Sequence, residues 1–229
     1  MTNFGLLIIN KPAGPTSHDI VDKIRKITGI KKIGHSGTLD PFAEGILIIL
    51  IGKTTKAQSR FMALPKTYAA TLKLGEISDT YDITGIKSKF QIPNFKSISK
   101  AQILKTLKNF TGEIRQVPPA YSAIKINGEK AYKLARKGIK PKIKPRKVII
   151  YRIKTLNYKW PHLKIKVKCG KGTYIRSLAN DIGKKIGCGA YVEKLIRTKI
   201  GNFDIKKSVK LKKINSKNWT KKLIPANID

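Results

Sequence analysis

The chain has 229 residues, 41% of them hydrophobic, with 49 Lys plus Arg against 13 Asp plus Glu and a formal net charge of +36. That length and apolar content allow one large domain or two small ones around a buried core. The charge points to a polyanionic partner, nucleic acid first, although lysine accumulating at exposed positions would also raise it. Cys169 and Cys188 have neither zinc-site spacing nor the number of a disulfide framework, and the apolar run Ile46 to Ile51 falls far short of the roughly 20 residues of a membrane span. A structural metal and a membrane or exported protein are thereby set aside, and a reduced cytoplasmic protein is expected.

Leu6 to Ile9 reads as a buried strand broken by Pro12, Gly14 and Pro15. A helix follows with Ser17 as N-cap, Asp19 in the first turn, and Ile20, Ile24 and Ile27 on one face. Gly34 to Gly45 is a glycine-punctuated loop, Ile46 to Ile51 a strand buried on both faces, and Thr54 to Met62 a short helix. Tyr68 to Leu74 alternates as a strand, with Tyr68, Ala70, Leu72 and Leu74 on one side. Gly75 to Pro93 reads as loop and hairpin, and its acids Glu76, Asp79 and Asp82 as polar loop residues. Ser99 caps a helix running to Phe110 with Ile103, Leu104 and Leu107 inward.

Tyr121 to Ile126 reads as a short strand ending at the turn pair Asn127-Gly128, and Glu129 to Lys137 as a helix stopped by Gly138. Between Arg136 and Lys154 lie nine basic residues and no acid, with Lys140, Lys142 and Lys144 alternating along an extended segment. Val148 to Tyr158 and Leu163 to Cys169 form a strand pair, Thr173 to Ile186 a helix closed by Gly187, and Ala190 to Ile200 a further strand or short helix. From Lys206 to Lys222 the chain holds eight lysines and no acid, read as a basic tail. The mixed order of strands and helices, with no internal repeat, predicts an α+β fold.

Gly52-Lys53-Thr54 follows a strand, but a phosphate-binding loop needs a glycine where Leu47 stands, so nucleotide hydrolysis is rejected. Gly34-His35-Ser36-Gly37 fits the GXXG loop of KH domains, a four-residue pattern that also arises by chance. The loop continues into Asp40-Pro41, where Pro41 biases Asp40 away from helical geometry and the flanking glycines allow close backbone approach to a ligand. An Asp-Pro pair is often only a turn initiator, yet Asp40 is the acid without an obvious structural duty. Arg176 opens a helix, where a cation is unfavourable without an anionic partner. RNA phosphate or a carboxylate such as Asp40 would serve, and a solvated surface arginine is the plain alternative.

Taken together, several segments resemble the bacterial TruB-type tRNA pseudouridine synthases. They are Asn10-Lys11-Pro12 with Gly14 and Thr16-Ser17; Gly34 through Gly45; Lys66-Thr67-Tyr68; Gln116 to Ala123; Gly172 to Arg176; and Leu195-Ile196-Arg197-Thr198. They occur in family order and span about residues 5 to 203. The resemblance implies a largely antiparallel sheet flanked by helices, forming a catalytic domain over 1–205 with an RNA-clamping insertion at about 116–142. The lysine-rich tail at 206–229 then stands in place of a full PUA domain.

The resemblance further implies isomerisation of the T-loop uridine of tRNA, with Asp40 as the catalytic carboxylate on a flipped-out nucleotide. It makes Arg176 the arginine that pairs with that Asp and Tyr68 the tyrosine that stacks on the target base. Tyr174 and Leu195 line the pocket, while His35 and Lys11 belong to the RNA-binding set. The reaction is redox-neutral, so no metal and no cofactor is implied; the partner is the tRNA T-arm, and the default state is a monomer. Two departures stand out: Ile196 replaces a usual arginine, and Asn10 a usual aspartate. The rival readings are a non-catalytic RNA-binding or tRNA-folding protein and a synthase acting on another RNA.

Overall fold

The computed structural model describes residues 4–91 and 98–225. In chain order these form β1 (Gly5–Lys11), α1 (Ser17–Thr28), β2 (Ile33–His35), β3 (Glu44–Ile51), a 3₁₀ turn at Gly52–Ala57, α2 (Gln58–Ala63) and β4 (Lys66–Leu74). Next come β5 (Glu76–Ser78), β6 (Lys87–Lys89), α3 (Lys100–Lys108), β7 (Gly112–Gln116), β8 (Lys125–Ile126), β9 (Glu129–Lys130) and α4 (Ala131–Arg136). The chain finishes with β10 (Arg146–Lys159), β11 (His162–Cys169), α5 (Ile175–Ile186), β12 (Ala190–Ile200), β13 (Phe203–Asp204) and β14 (Val209–Lys210). These elements make two compact units, residues 1–68 with 195–229, and residues 69–194.

In the first unit the strand order is β14-β1-β3-β12, with β2 on β3 and β13 on β12. β1 and β3 run antiparallel from Gly5↔Ile51 to Lys11↔Gly45, while β14 on β1 and β12 on β3 are parallel. β3 is buried on both sides, as its unbroken apolar run predicts. On one face Leu7, Ile9, Leu47, Ile49 and Ile51 meet Ile20, Val21 and Ile24 of α1. On the other, Leu6, Ile8, Ile46, Ile48 and Leu50 meet Ile200, with Phe61, Leu64 and Phe203 packed alongside.

Residues 209–224 of the lysine-rich tail pack onto the first unit. β14 pairs with β1, Leu6 and Ile224 form a bridge, and Ile214 and Trp219 are buried in the core beneath α1. Apolar residues interspersed among the lysines account for this. They supply the buried side of a segment whose other side is charged.

In the second unit the order is β4-β11-β10-β7, and β11 alternates strictly, with Leu163, Ile165, Val167 and Cys169 buried. α3 packs on β10 and α5. Gly75 to Pro93 contains the β5–β6 hairpin, though Ile92 and Pro93 of that reading lie outside the described residues. The α+β, largely antiparallel architecture is thus as read from the sequence.

Several local readings differ. Thr16, not Ser17, caps α1, through a reciprocal box in which its side chain accepts from Asp19 N and Asp19 accepts from Thr16 N. The helix predicted from Thr54 to Met62 is a 3₁₀ turn followed by α2. Leu104 is outward, and Thr106 takes the buried place beside Ile103 and Leu107. The strand predicted over Tyr121 to Ile126 shrinks to β8, paired with β9 across Asn127-Gly128, whose φ values of 48° and 84° suit a tight hairpin turn. The helix predicted from Glu129 therefore begins only at Ala131.

Candidate active site

The loop between β2 and β3 carries Asp40, and the first unit fastens it from three directions. The Ser17 hydroxyl, at the start of α1, donates to Leu39 O at 3.2 Å and accepts from Leu39 N at 2.9 Å. Lys11, at the end of β1 and fully buried, sends its ammonium to the carbonyls of Pro12, Pro15 and Pro41 at 2.7, 2.9 and 3.1 Å. Arg197 of β12, also buried, donates to Ile46 O at 2.8 Å, Thr38 O at 3.3 Å and Gly37 O at 3.2 Å. The peptides on both sides of Asp40 therefore have fixed partners, while Asp40 itself is half-buried.

β12 reaches this loop because Gly45 lets it. Gly45 has φ +115°, and a Cβ there would lie 2.3 Å from Arg197 O, in the parallel register Arg197↔Gly45. Glycine is required twice at this position, once for conformation and once for space.

Two groups of the loop neighbourhood have shifted protonation. Burial lowers Lys11 from its ordinary 10.5 to about 8; the carboxylate of Asp40 works against that shift and the Arg197 cation adds to it. Burial, followed by the charges of Arg197 and His18, also holds His35 below its ordinary value. His35 is consequently neutral at pH 7. Since its Nδ1 accepts from Gly37 N at 3.2 Å, the ring proton belongs on Nε2, where it is available as a donor.

Of the residues picked out in the sequence, Lys11, His35, Asp40, Tyr68 and Leu195 belong to the first unit, and Tyr68 and Leu195 are buried there. Tyr174 and Arg176 belong to the second. Arg176 has an anionic partner within its own unit: Nη1 lies 3.4 Å from Asp82 Oδ2 and donates to Thr80 O at 3.2 Å, while Nη2 donates to Tyr121 O at 3.0 Å. This answers why a cation stands at a helix start. Asp82 is 3% exposed and accepts from Thr80 Oγ1 at 2.8 Å and Thr84 N at 2.9 Å, so it is a buried carboxylate and not the polar loop residue the sequence reading made it.

Gln116, which the sequence marks only as part of a motif, uses both ends of its amide on one residue. It accepts from Tyr174 N at 2.8 Å and donates to Tyr174 O at 3.1 Å, supplying the cap that the first turn of α5 otherwise lacks. Ser177 Oγ donates to Val117 O at 2.7 Å. The Gln116–Val117 segment and the start of α5 are thus one rigid piece. A buried glutamine before two prolines was the available signal.

Among the described residues no group of three or more His, Cys, Asp or Glu side chains could hold a metal ion, and no helix is long and apolar enough to cross a membrane.

Comparison with known proteins places these segments. Residues 25–175 match the TruB family pseudouridylate synthase N-terminal domain, and residues 176–226 the tRNA pseudouridylate synthase B C-terminal domain. The chain is 49% identical to tRNA pseudouridine synthase B of Clostridium acetobutylicum over 98% of its own length and 76% of the relative's. It is 45% identical to the protein of that name from Endomicrobium trichonymphae, covering 96% of each. Among solved structures it resembles a chain of a Cbf5-Nop10-Gar1 complex, with a TM-score of 0.72 and 30% identity over 92% of this chain. The match spans about half, 53%, of that longer chain.

Proposed function

The chain belongs to the TruB family of pseudouridylate synthases, and on that premise we propose that it isomerises a uridine of tRNA to pseudouridine, acting at the T-loop with Asp40 as its catalytic carboxylate. The near-full-length similarity to tRNA pseudouridine synthase B proteins supports the reaction. The observation that carries the assignment to Asp40 is the fastening of its loop by Ser17, Lys11 and Arg197, which orders the peptides around a carboxylate before any substrate arrives.

In this reading the uridine leaves its stack and enters the pocket, where Tyr68 offers an aromatic face in place of the lost neighbours. Asp40 attacks or stabilises the sugar carbon as the bond to N1 breaks. The base turns, carbon 5 bonds to the same sugar carbon, the proton on carbon 5 departs and N1 gains one. Atoms and charge balance without any other reactant. Arg176 is steadied by Asp82 within its own unit; Leu195 lines the base site in the unit that carries Asp40; His35, donating from Nε2, and the insertion at about 116–142 contact the RNA backbone. The enzyme acts as a cytoplasmic monomer.

The test is to incubate the protein with an unmodified tRNA transcript and map every pseudouridine formed. A single product in the T-loop is expected. A product elsewhere moves the proposal to another RNA site, and tight binding with no product at all defeats it in favour of a purely RNA-binding protein.

A further inference from the structure

Within the second unit, β10 and β11 carry a ladder of cations that no part of the catalytic reading uses. The register pairs Arg152 with Lys168 and Lys154 with Lys166, so like charges stand directly opposite at two positions of the exposed face, and Lys164, opposite Asn157, continues the β11 row. Directly opposed like charges weaken a sheet, since their side chains lie only about 5 Å apart. From Arg146 to Cys169 the sequence holds no acid. The acids at the margins, Glu113 and Glu193, are engaged by Lys147 at 2.8 Å and by His162 at 3.4 Å.

The arrangement also differs from a diffuse solvated surface in its spacing and in what accompanies it. Successive same-face residues on one strand recur about every 6.7 Å, giving two parallel rows of cations. Tyr151, 50% exposed, lies at one end with the Lys168 ammonium 5.9 Å from its ring centroid. A positive track ending on an open aromatic face is the pattern with which proteins follow a nucleic-acid backbone. The opposite face of the strands is core, with Leu163, Ile165 and Val167 buried, so α3 offers exposed lysines of its own that are not part of this ladder.

We propose that the Arg152, Lys154, Lys164, Lys166 and Lys168 face of the β10–β11 hairpin is an RNA-docking surface that holds the phosphodiester backbone of the tRNA substrate, apart from any residue that touches the reacting uridine. It rests on tRNA being the substrate. The ladder persists, despite its internal repulsion, because the RNA supplies the missing anions.

The experiment compares the triple variant Lys154→Gln, Lys166→Gln, Lys168→Gln with a charge-matched control, Lys100→Gln, Lys105→Gln, Lys108→Gln, in the full chain. Binding of unmodified tRNA is measured across a salt series, together with melting curves and single-turnover rates at saturating enzyme. At roughly 0.7–0.9 log units per lost phosphate contact, the ladder variant should have a slope shallower by about 2–3, and the control an unchanged one. Its single-turnover rate should stay within about twofold of wild type, and relief of the opposed charges should leave its melting temperature equal or higher. Equal slopes in the two variants, or an unchanged slope in the ladder variant, would overturn the proposal; so would a lower melting temperature, because the lysines would then serve the fold. Anionic phosphatidylserine vesicles captured by wild type and not by the ladder variant, with the tRNA slope unchanged, would assign the face to a membrane surface instead. A wild type that forms no pseudouridine defeats the catalytic reading and leaves the slopes to judge this face separately.

Discussion

Replacing Arg197 by Met removes a buried cation whose three donors end on the carbonyls of Ile46, Thr38 and Gly37. A buried carbonyl left without a donor costs about 1–3 kcal/mol, and relief of the cation's own desolvation offsets part of the sum. The net loss should be about 3–5 kcal/mol, which in a chain of this size lowers the melting temperature by about 6–20 °C. Arg197→Lys keeps the charge but replaces a planar fork with a single point donor, so it should fall between wild type and Met. Since two of the three carbonyls precede Asp40 in its loop, a shift of about 1 Å there should slow single-turnover pseudouridine formation by about 100-fold below the melting range. Removing the Arg197 cation should also let Lys11 titrate higher than the present value of about 8. Thermal denaturation, single-turnover kinetics and titration of the Lys11 amine read the three effects. A Met variant that melts within about 2 °C of wild type and reacts at the wild-type rate would refute the reasoning.

Lys11 also makes stability depend on pH. Its folded pKa is depressed, so between about 8 and 10.5 the unfolded chain binds more protons, and Lys11 contributes a gain in stability as pH rises through that window. Urea denaturation at several pH values should show this slope in wild type and lose it in Lys11→Met; an identical slope in both would contradict the assignment. Gly45→Ala should cost about 2–4 kcal/mol through positive φ and a clash with Arg197 O, measurable by denaturation, and a neutral result would mean that β12 does not need this close approach. Trp219→Ala should cost about 3–5 kcal/mol, because the indole is 7% exposed within the core beneath α1. If that variant instead keeps its stability and loses only salt-dependent RNA binding, the 209–224 segment is a binding tail after all.

The strongest sequence signals were those in which burial and periodicity agree. The unbroken run of β3 and the alternation of Tyr68 to Leu74 each state which sides are covered, and the core agrees; Val148 to Tyr158 and Leu163 to Cys169 pair as strands, as read. Where two residues were equally suited the reading slipped by one: Thr16 and Ser17 can both cap a helix, and the reciprocal bond to Asp19 decides for Thr16. Leu104 is apolar enough to suit the inward side, yet the geometry of α3 puts Ile103, Thr106 and Leu107 there.

The loop around Asp40 stands out in the sequence because it concentrates unusual residues, whereas the contacts that order it and its neighbours run through ordinary ones. Asp82 sits in a polar stretch, and nothing local tells that Arg176, 94 positions away, turns it into a buried carboxylate. Arg197 and Gln116 were quoted as motif letters, but their use on backbone carbonyls and amides 58 to 160 positions away exists only in the folded chain. In the lysine-rich segment the charge count says nothing of Ile214 and Trp219, which the fold buries.

The most direct test of the catalytic assignment is pseudouridine formation in an unmodified T-arm hairpin by wild type and by Asp40→Asn, with RNA binding measured in parallel. The account predicts product from wild type, none from the variant, and binding retained by both. Product from Asp40→Asn at a rate near that of wild type would contradict it.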